Sequence, residues 1–478
     1  MRKIFRLFSV ICVGLLLIST TQRASELPSF GTTSGIISAQ QEYELGHAFL
    51  KVISSQVTLL SDPEITSYTE ALIYRLAETS ELQDRRISVI VIDNPQLNAF
   101  AVPGGIIGIN AGLFLYAESE QEFASVIAHE LAHLSQRHYA RQVETAQQQR
   151  VPSALAILGS ILLMTVGGGD AGVAALSSTL AGIQSQQLRF SRQNEQEADR
   201  VGIRNMARAN FDPRAMPKLF ERMSRLEGSG HQMEFLRTHP VTSNRIADSL
   251  GRAEQYPTHH YQDNQSYHPM RMRAVVKSSV SPEIIAQRLA NDLKTGRSST
   301  PPYATRYGLA LAQLKSNEPS EAAKTLKPLM THSPNNIYFR LLNNQIRFAQ
   351  GQHKKALTDL RKMLRFNPDN LPITMAYANM LFKDKQYQPA EKILKSFARH
   401  RPEDPEVWYQ LAEAAGKVGN TEEVHKARAE FFFLIANFDD AIKHLEYASE
   451  LPSIRFSTKI ALTERITEIQ AYKQRMKF

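Results

Sequence analysis

The chain has 478 residues, 42% hydrophobic and 22% charged, with a single cysteine, Cys12. Such a length divides into two or three domains with ample apolar material for real cores, which excludes a disordered chain, a collagen-like repeat and a disulfide-built miniprotein. The formal charge is +9, and four of the positive charges lie in the first 25 residues.

That first stretch reads as a targeting segment. Arg2, Lys3 and Arg6 precede an apolar run over 7–18 and a polar stretch over 19–25, the three-part layout of a secretory signal. The run is too short for the roughly 20 residues of a membrane-spanning helix. Cys12 lies inside it, far ahead of any lipobox position. Cleavage near Ala24 or Ser25 removes four positive charges and no acids, so +9 becomes +5, and it also removes the only thiol. The expected product is a cysteine-free exported protein, periplasmic in a Gram-negative source, that can use neither disulfides nor a catalytic thiol. No later segment holds 18 uninterrupted apolar residues, so membrane contact is expected to be peripheral at most. A charge of +5 without a basic stripe or aromatic stacking motif predicts no nucleic-acid partner.

Residues 37–82 carry helical spacing. Short β-branched runs follow over 87–92, 97–102 and 106–109, punctuated by Asn94-Pro95 and Pro103-Gly104-Gly105, and predict a small sheet with tight turns. Helical periodicity returns from Asn110 to about Leu250, interrupted at Gly167-Gly168-Gly169-Asp170. The apolar runs beside that turn, 154–166 and 171–183, are too short to cross a bilayer; they read as core, with a lid or a substrate- or membrane-touching patch as alternatives. Residues 256–269 are polar and aperiodic, as a linker is, and a short helix is expected over 282–295.

Beyond Pro302 the chain repeats. Pro334, Pro368 and Pro402 are spaced by 34, as are Ala322, Ala356 and Ala390, then Leu326, Leu360 and Leu394, then Gly351, Lys385 and Gly419. This is the period of tetratricopeptide helix pairs, with alanines at the close helix approach, leucines between helices and prolines after the second helix. About four pairs are expected over 303–452, with Ala441 out of register and a closing helix over 457–477. The expected architecture is mainly α, with helices plus a small β-sheet before an α-solenoid. The divisions are a signal (1–25), a catalytic domain (26–255), a linker with a short helix (256–302) and a repeat domain (303–478).

The chemistry-bearing segment is His129-Glu130-Leu131-Ala132-His133 inside an apolar helical frame. His129 and His133 stand one turn apart on one face, where two imidazoles grip one cation. Glu130 is turned about 100° away and suits a general base for a metal-activated water. A catalytic zinc, one per chain, needs a third ligand, and Glu195 offers one. Asp199 shares its helix face and suits a hydrogen bond to a ligand imidazole. Glu197 is the competing ligand.

His129-Glu130-x-x-His133 followed by Glu195-x-x-Ala198-Asp199 resembles the zincin-like M48 metalloproteases. The resemblance implies a zinc metalloendopeptidase held by His129, His133 and Glu195. It also implies an edge strand through Asn98, Phe100, Gly104, Gly105, Ile107 and Ile109 that receives substrate by strand addition. His239 and Arg245 are implied as oxyanion stabilisers, with His239 closing the resting metal site. An exported M48 domain followed by tetratricopeptide repeats is similar to the branch of the family that assists outer-membrane β-barrel assembly, notably of the lipopolysaccharide-transport barrel. That likeness implies chaperone-like activity, degradation of stalled or unfolded barrels, and docking on the barrel-assembly machinery through the repeats. The alternative is a non-proteolytic scaffold or holdase with a structural or closed zinc site.

Overall fold

The computed structural model describes residues 38–141, 192–228 and 233–476. The signal over 1–25 and the apolar runs over 154–166 and 171–183 lie outside the described residues.

Helix α1 (Ala39–Gln56) opens on a capping box at Ser38 and Gln41, and α2 (Pro63–Thr79) on Asp62, whose carboxylate accepts from the Glu64 and Ile65 amides. Three strands follow: β1 (Ser88–Ile92), β2 (Ala99–Val102) and β3 (Ile106–Asn110), in the order β1-β3-β2. β3 pairs in parallel with β1 and antiparallel with β2. Asn110, expected to open the helical region, ends β3 instead. Gly104 (φ 85°) and Gly105 (φ 80°) make the β2–β3 turn in the left-handed region, and side chains there would strike Glu42 O and Arg86 O respectively.

The sheet has two buried faces. Val91, Ala99, Ile107 and Ile109 face the main core with α2; Ile90, Phe100, Val102 and Ile106 face α1 through Leu45, Phe49 and Ile53. A short α3 (Gly112–Tyr116) leads to α4 (Glu120–Ser135), which is buried on nearly every side. Next come α5 (Arg192–Arg208), α6 (Ala215–Gly228), α7 (Glu234–Thr238) and α8 (Ser243–Ala253).

Residues 256–266 hold no helix or strand, but the polar stretch read as linker to 269 gives way at Tyr267 to α9 (Tyr267–Lys277). Tyr267 and Met270 are fully buried in the main core, and buried apolar residues override the polar neighbours that suggested a loop. Helix α10 (Pro282–Thr295) matches the expectation.

Eight helices then form four pairs: α11 (Pro302–Lys315) and α12 (Pro319–His332), α13 (Ile337–Ala349) and α14 (His353–Phe366), α15 (Leu371–Lys383) and α16 (Tyr387–Ala398), α17 (Pro405–Val418) and α18 (Thr421–Leu434). The turns within the pairs contain Asn317, Gly351, Lys385 and Gly419, all at positive φ and one 34-residue period apart, while Ala322, Ala356 and Ala390 are fully buried. The period is thus a backbone requirement as well as a packing one. Helices α19 (Phe438–Ser449) and α20 (Phe456–Met476) close the array. Among the described residues, no helix is long and apolar enough to cross a membrane.

The array curls back onto the first helices. Arg401 binds Glu70 of α2 through two bonds of 2.6 and 3.0 Å, and the Lys51 ammonium of α1 sits 4.8 Å over the Phe433 ring. One hydrophobic core runs unbroken from Phe123 of α4 through Tyr267 into Tyr307 and Phe339 of the repeats.

Candidate metal centre

Small residues bring the two motif helices together. Ala132 and Ala198 pack with Val201, and a side chain added at Gly202 would stand 3.2 Å from the Ala128 carbonyl. Helix α5 therefore lies close along α4, placing Glu195 and Asp199 beside His129 and His133. His239 caps the end of α7 with its ring stacked on Phe235, whose amide donates to Leu97 O at the entrance to β2.

One ligand atom each from His129, His133, Glu195 and His239 lies within 4.8 Å of all the others, and all four residues are buried. The His129 and His133 Nε2 atoms are 3.0 Å apart, His129 Nε2 is 3.3 Å from His239 Nδ1, and Glu195 Oε1 is 3.0 Å from His239 Nδ1 and 3.5 Å from His133 Nε2. Burial works against the Glu195 charge, but His239 and His129 beside it hold its carboxyl well below the usual range. Three imidazoles and a carboxylate converging in a dry interior form a donor set suited to zinc, and the buried Glu130 Oε1 facing His239 has no hydrogen-bond partner. The residues fit the metal.

Asp199 Oδ1 is 3.0 Å from His129 Nδ1, which orients that imidazole. The Arg245 guanidinium is spent on Asp199 through two 2.7 Å bonds, on Glu195 at 2.8 Å and on Pro240 O at 2.7 Å. It clamps the carboxylates behind the proposed ligands, where the first turn of α8 abuts α5.

The strand residues need correction. Ile107 and Ile109 lie on the central strand β3, paired on both sides and buried. Phe100 belongs to edge strand β2, but its ring covers Gly108 and packs on Phe49, and Asn98 is likewise buried. Gly104 and Gly105 serve the turn. The Asn110 amide donates to Asn98 O, so by alternation Asn98, Phe100 and Val102 bond β3 while Ala99 and Ala101 turn their backbone groups outward. Burial raises the pKa of the Glu130 carboxyl, against the pull of His239 and His129 and of the Ala101 backbone beside it. One neighbour of the site went unread in the sequence, His138. His138 Nδ1 meets His133 Nδ1 at 2.8 Å, and its Nε2 meets Glu197 at 2.9 Å, so Glu197, the competing ligand, supports the site from outside.

The model described as Peptidase family M48 matches residues 63–253, and one for tetratricopeptide repeats matches 347–414. The β-barrel assembly-enhancing protease of Escherichia coli (strain K12) is 31% identical over 475 residues, 98% of this chain and 96% of that one. The chain belongs to peptidase family M48. A putative β-barrel assembly-enhancing protease of Vibrio cholerae is 33% identical over 453 residues, 94% of this chain and 93% of its own length. The mitochondrial metalloendopeptidase OMA1 of Schizosaccharomyces pombe is 34% identical over 182 residues, 38% of this chain and 51% of its own. This M48 chain is a metalloprotease with a tetratricopeptide array.

Proposed function

We propose that the chain is a periplasmic zinc endopeptidase with chaperone-like activity that assists assembly of outer-membrane β-barrels and degrades misassembled ones. The convergence of His129, His133, Glu195 and His239 beside Glu130 and the β2 edge carries the catalytic part. Identity of 31% to an assembly-enhancing protease over nearly the whole chain supports the substrate class. The repeats would dock on the assembly machinery, and stalled barrels, notably that of lipopolysaccharide transport, would be the substrates.

His129, His133 and Glu195 would hold one zinc, and His239 stands where a fourth ligand would. Bound zinc supplies a Lewis acid that polarises a carbonyl and lowers the pKa of a water to about 7. An extended substrate pairs with the outward groups of Ala99 and the Ala101 carbonyl, which fixes the scissile bond beside Glu130. Glu130, raised by burial and steadied by the Ala101 backbone, takes the proton of the attacking water and delivers it to the leaving amine. Asp199 and Arg245 hold the ligand set in place throughout. His239 blocks the water's position at rest and moves aside for substrate.

Complementation separates this reading from a scaffold. A Glu130→Gln chain expressed in a strain lacking the protein should leave stalled barrels undegraded and the envelope defect uncorrected. Full restoration by that variant would favour the scaffold.

A further inference from the structure

The sheet has a second edge. Ser88 N–H donates to Gly105 O and Ala111 N–H to Ile92 O, so the even residues of β1 bond β3 and Val89 and Val91 turn outward. The 58–60 segment already pairs antiparallel with the end of this edge, with Leu60 N–H donating to Val91 O and Asp93 N–H to Thr58 O. Val89 N–H and Val89 C=O therefore stand without a backbone partner among the described residues, just before the 58–60 segment covers Val91. Edge groups of this kind are normally covered, charged or kept for use.

They open onto a cavity of about 690 Å³ at the seam between the first helices and the curled repeat array. Its walls combine apolar side chains, such as Leu50 of α1, Met375 of α15 and Leu434 of α18, with polar groups at the rim. Arg401 is already bound to Glu70, while Glu403 and Glu406 leave the rim acidic. The sheet is three strands wide, so this edge lies about 9.6 Å across from β2, on the side away from Glu130.

We propose that the outer edge of β1 is a second strand-addition site, at which the seam cavity holds an extended segment of unfolded polypeptide without cleaving it. The open amide and carbonyl of Val89 favour an extended main chain as occupant, the mixed walls accept alternating side chains, and the acidic rim disfavours acidic segments. Recognition through the main chain makes the groove tolerant of sequence. It holds one part of a chain while another lies at β2, and it stands whether or not the metal centre cleaves.

The test uses the full-length Glu130→Gln chain and a urea-unfolded β-barrel polypeptide as probe. A photo-crosslinker at position 400, on the cavity wall, should capture the polypeptide, and an excess of a basic alternating peptide should suppress the capture more than an acidic one. Val89→Pro removes an amide that β1 does not spend on β3, a place where an edge strand tolerates proline, and should weaken polypeptide binding about fivefold, the worth of one backbone hydrogen bond. Ser54→Trp, which fills the cavity from α1 without touching the strand, should weaken it at least as much. Unchanged affinity in both variants would overturn the proposal. So would crosslinks from position 400 that land only on this chain's own residues or on a second copy.

Discussion

At the residue scale, the metal ligands owe their aim to groups behind them. His129 is oriented by Asp199, His133 by His138, and Asp199 is itself gripped by Arg245. Loss of such a partner typically weakens metal affinity 10- to 100-fold. His138→Ala should therefore bind zinc about tenfold or more weakly in a chelator competition while keeping its melting temperature when saturated with metal; unchanged affinity would remove His138 from the site. The ligand helix was legible because His129 and His133 share one helix face and Glu195 and Asp199 another. His138 was not, because its place depends on the chain turning after Ser135, where Arg137 adopts φ 51°. For Arg245, sequence spacing gives its proximity to the site but not its grip on Asp199 and Glu195.

At the element scale, the sheet was legible as three short strands, but their order was not. Parity decides function here: a shift of one residue moves a side chain from the groove to the core. Without the order β1-β3-β2, the runs around Phe100 and Ile107 look equally suited to substrate, although one belongs to an edge strand and the other is enclosed. Gly108 shows how tightly the pair is built, since an added Cβ would stand 2.1 Å from the Phe100 ring. Gly108→Ala should lower stability by about 1–3 kcal/mol in urea denaturation, the usual cost of overpacking, and should disturb β2 with it. A neutral effect would show that the Phe100 ring is free to move. The repeat array was legible in nearly every respect, because its 34-residue period records both the buried alanines and the left-handed turns.

At the scale of the whole molecule, what the sequence hid is how the two halves join. Polar residues before Tyr267 suggested a linker, yet a buried ion network crosses this region. Arg273 of α9 bonds Asp62 at 2.8 Å, Glu64 at 3.0 Å and the Tyr307 hydroxyl of α11 at 3.2 Å. Burial opposes the Asp62 charge but Arg273 and Lys277 hold its pKa at about 2, whereas burial pushes Glu64 up to about 7. A raised carboxyl favours the folded state as pH falls from 7 towards its ordinary 4.5, and that contribution is lost as pH rises through 7; Asp62 contributes above about 4 and fails below it. Glu64→Gln should accordingly compare more favourably with wild type at pH 8 than at pH 5 in urea midpoints, and equal offsets at the two pH values would contradict this. The joined halves place the β2 edge, proposed to take substrate, under a curled array. The most direct measurement is zinc content alongside cleavage of an unfolded β-barrel protein by wild type, Glu130→Gln and His239→Ala. One zinc per chain is predicted for wild type and Glu130→Gln, with cleavage lost by about 100-fold or more in Glu130→Gln and raised in His239→Ala. Wild-type-like cleavage by zinc-loaded Glu130→Gln, or no zinc in the wild type, would contradict it.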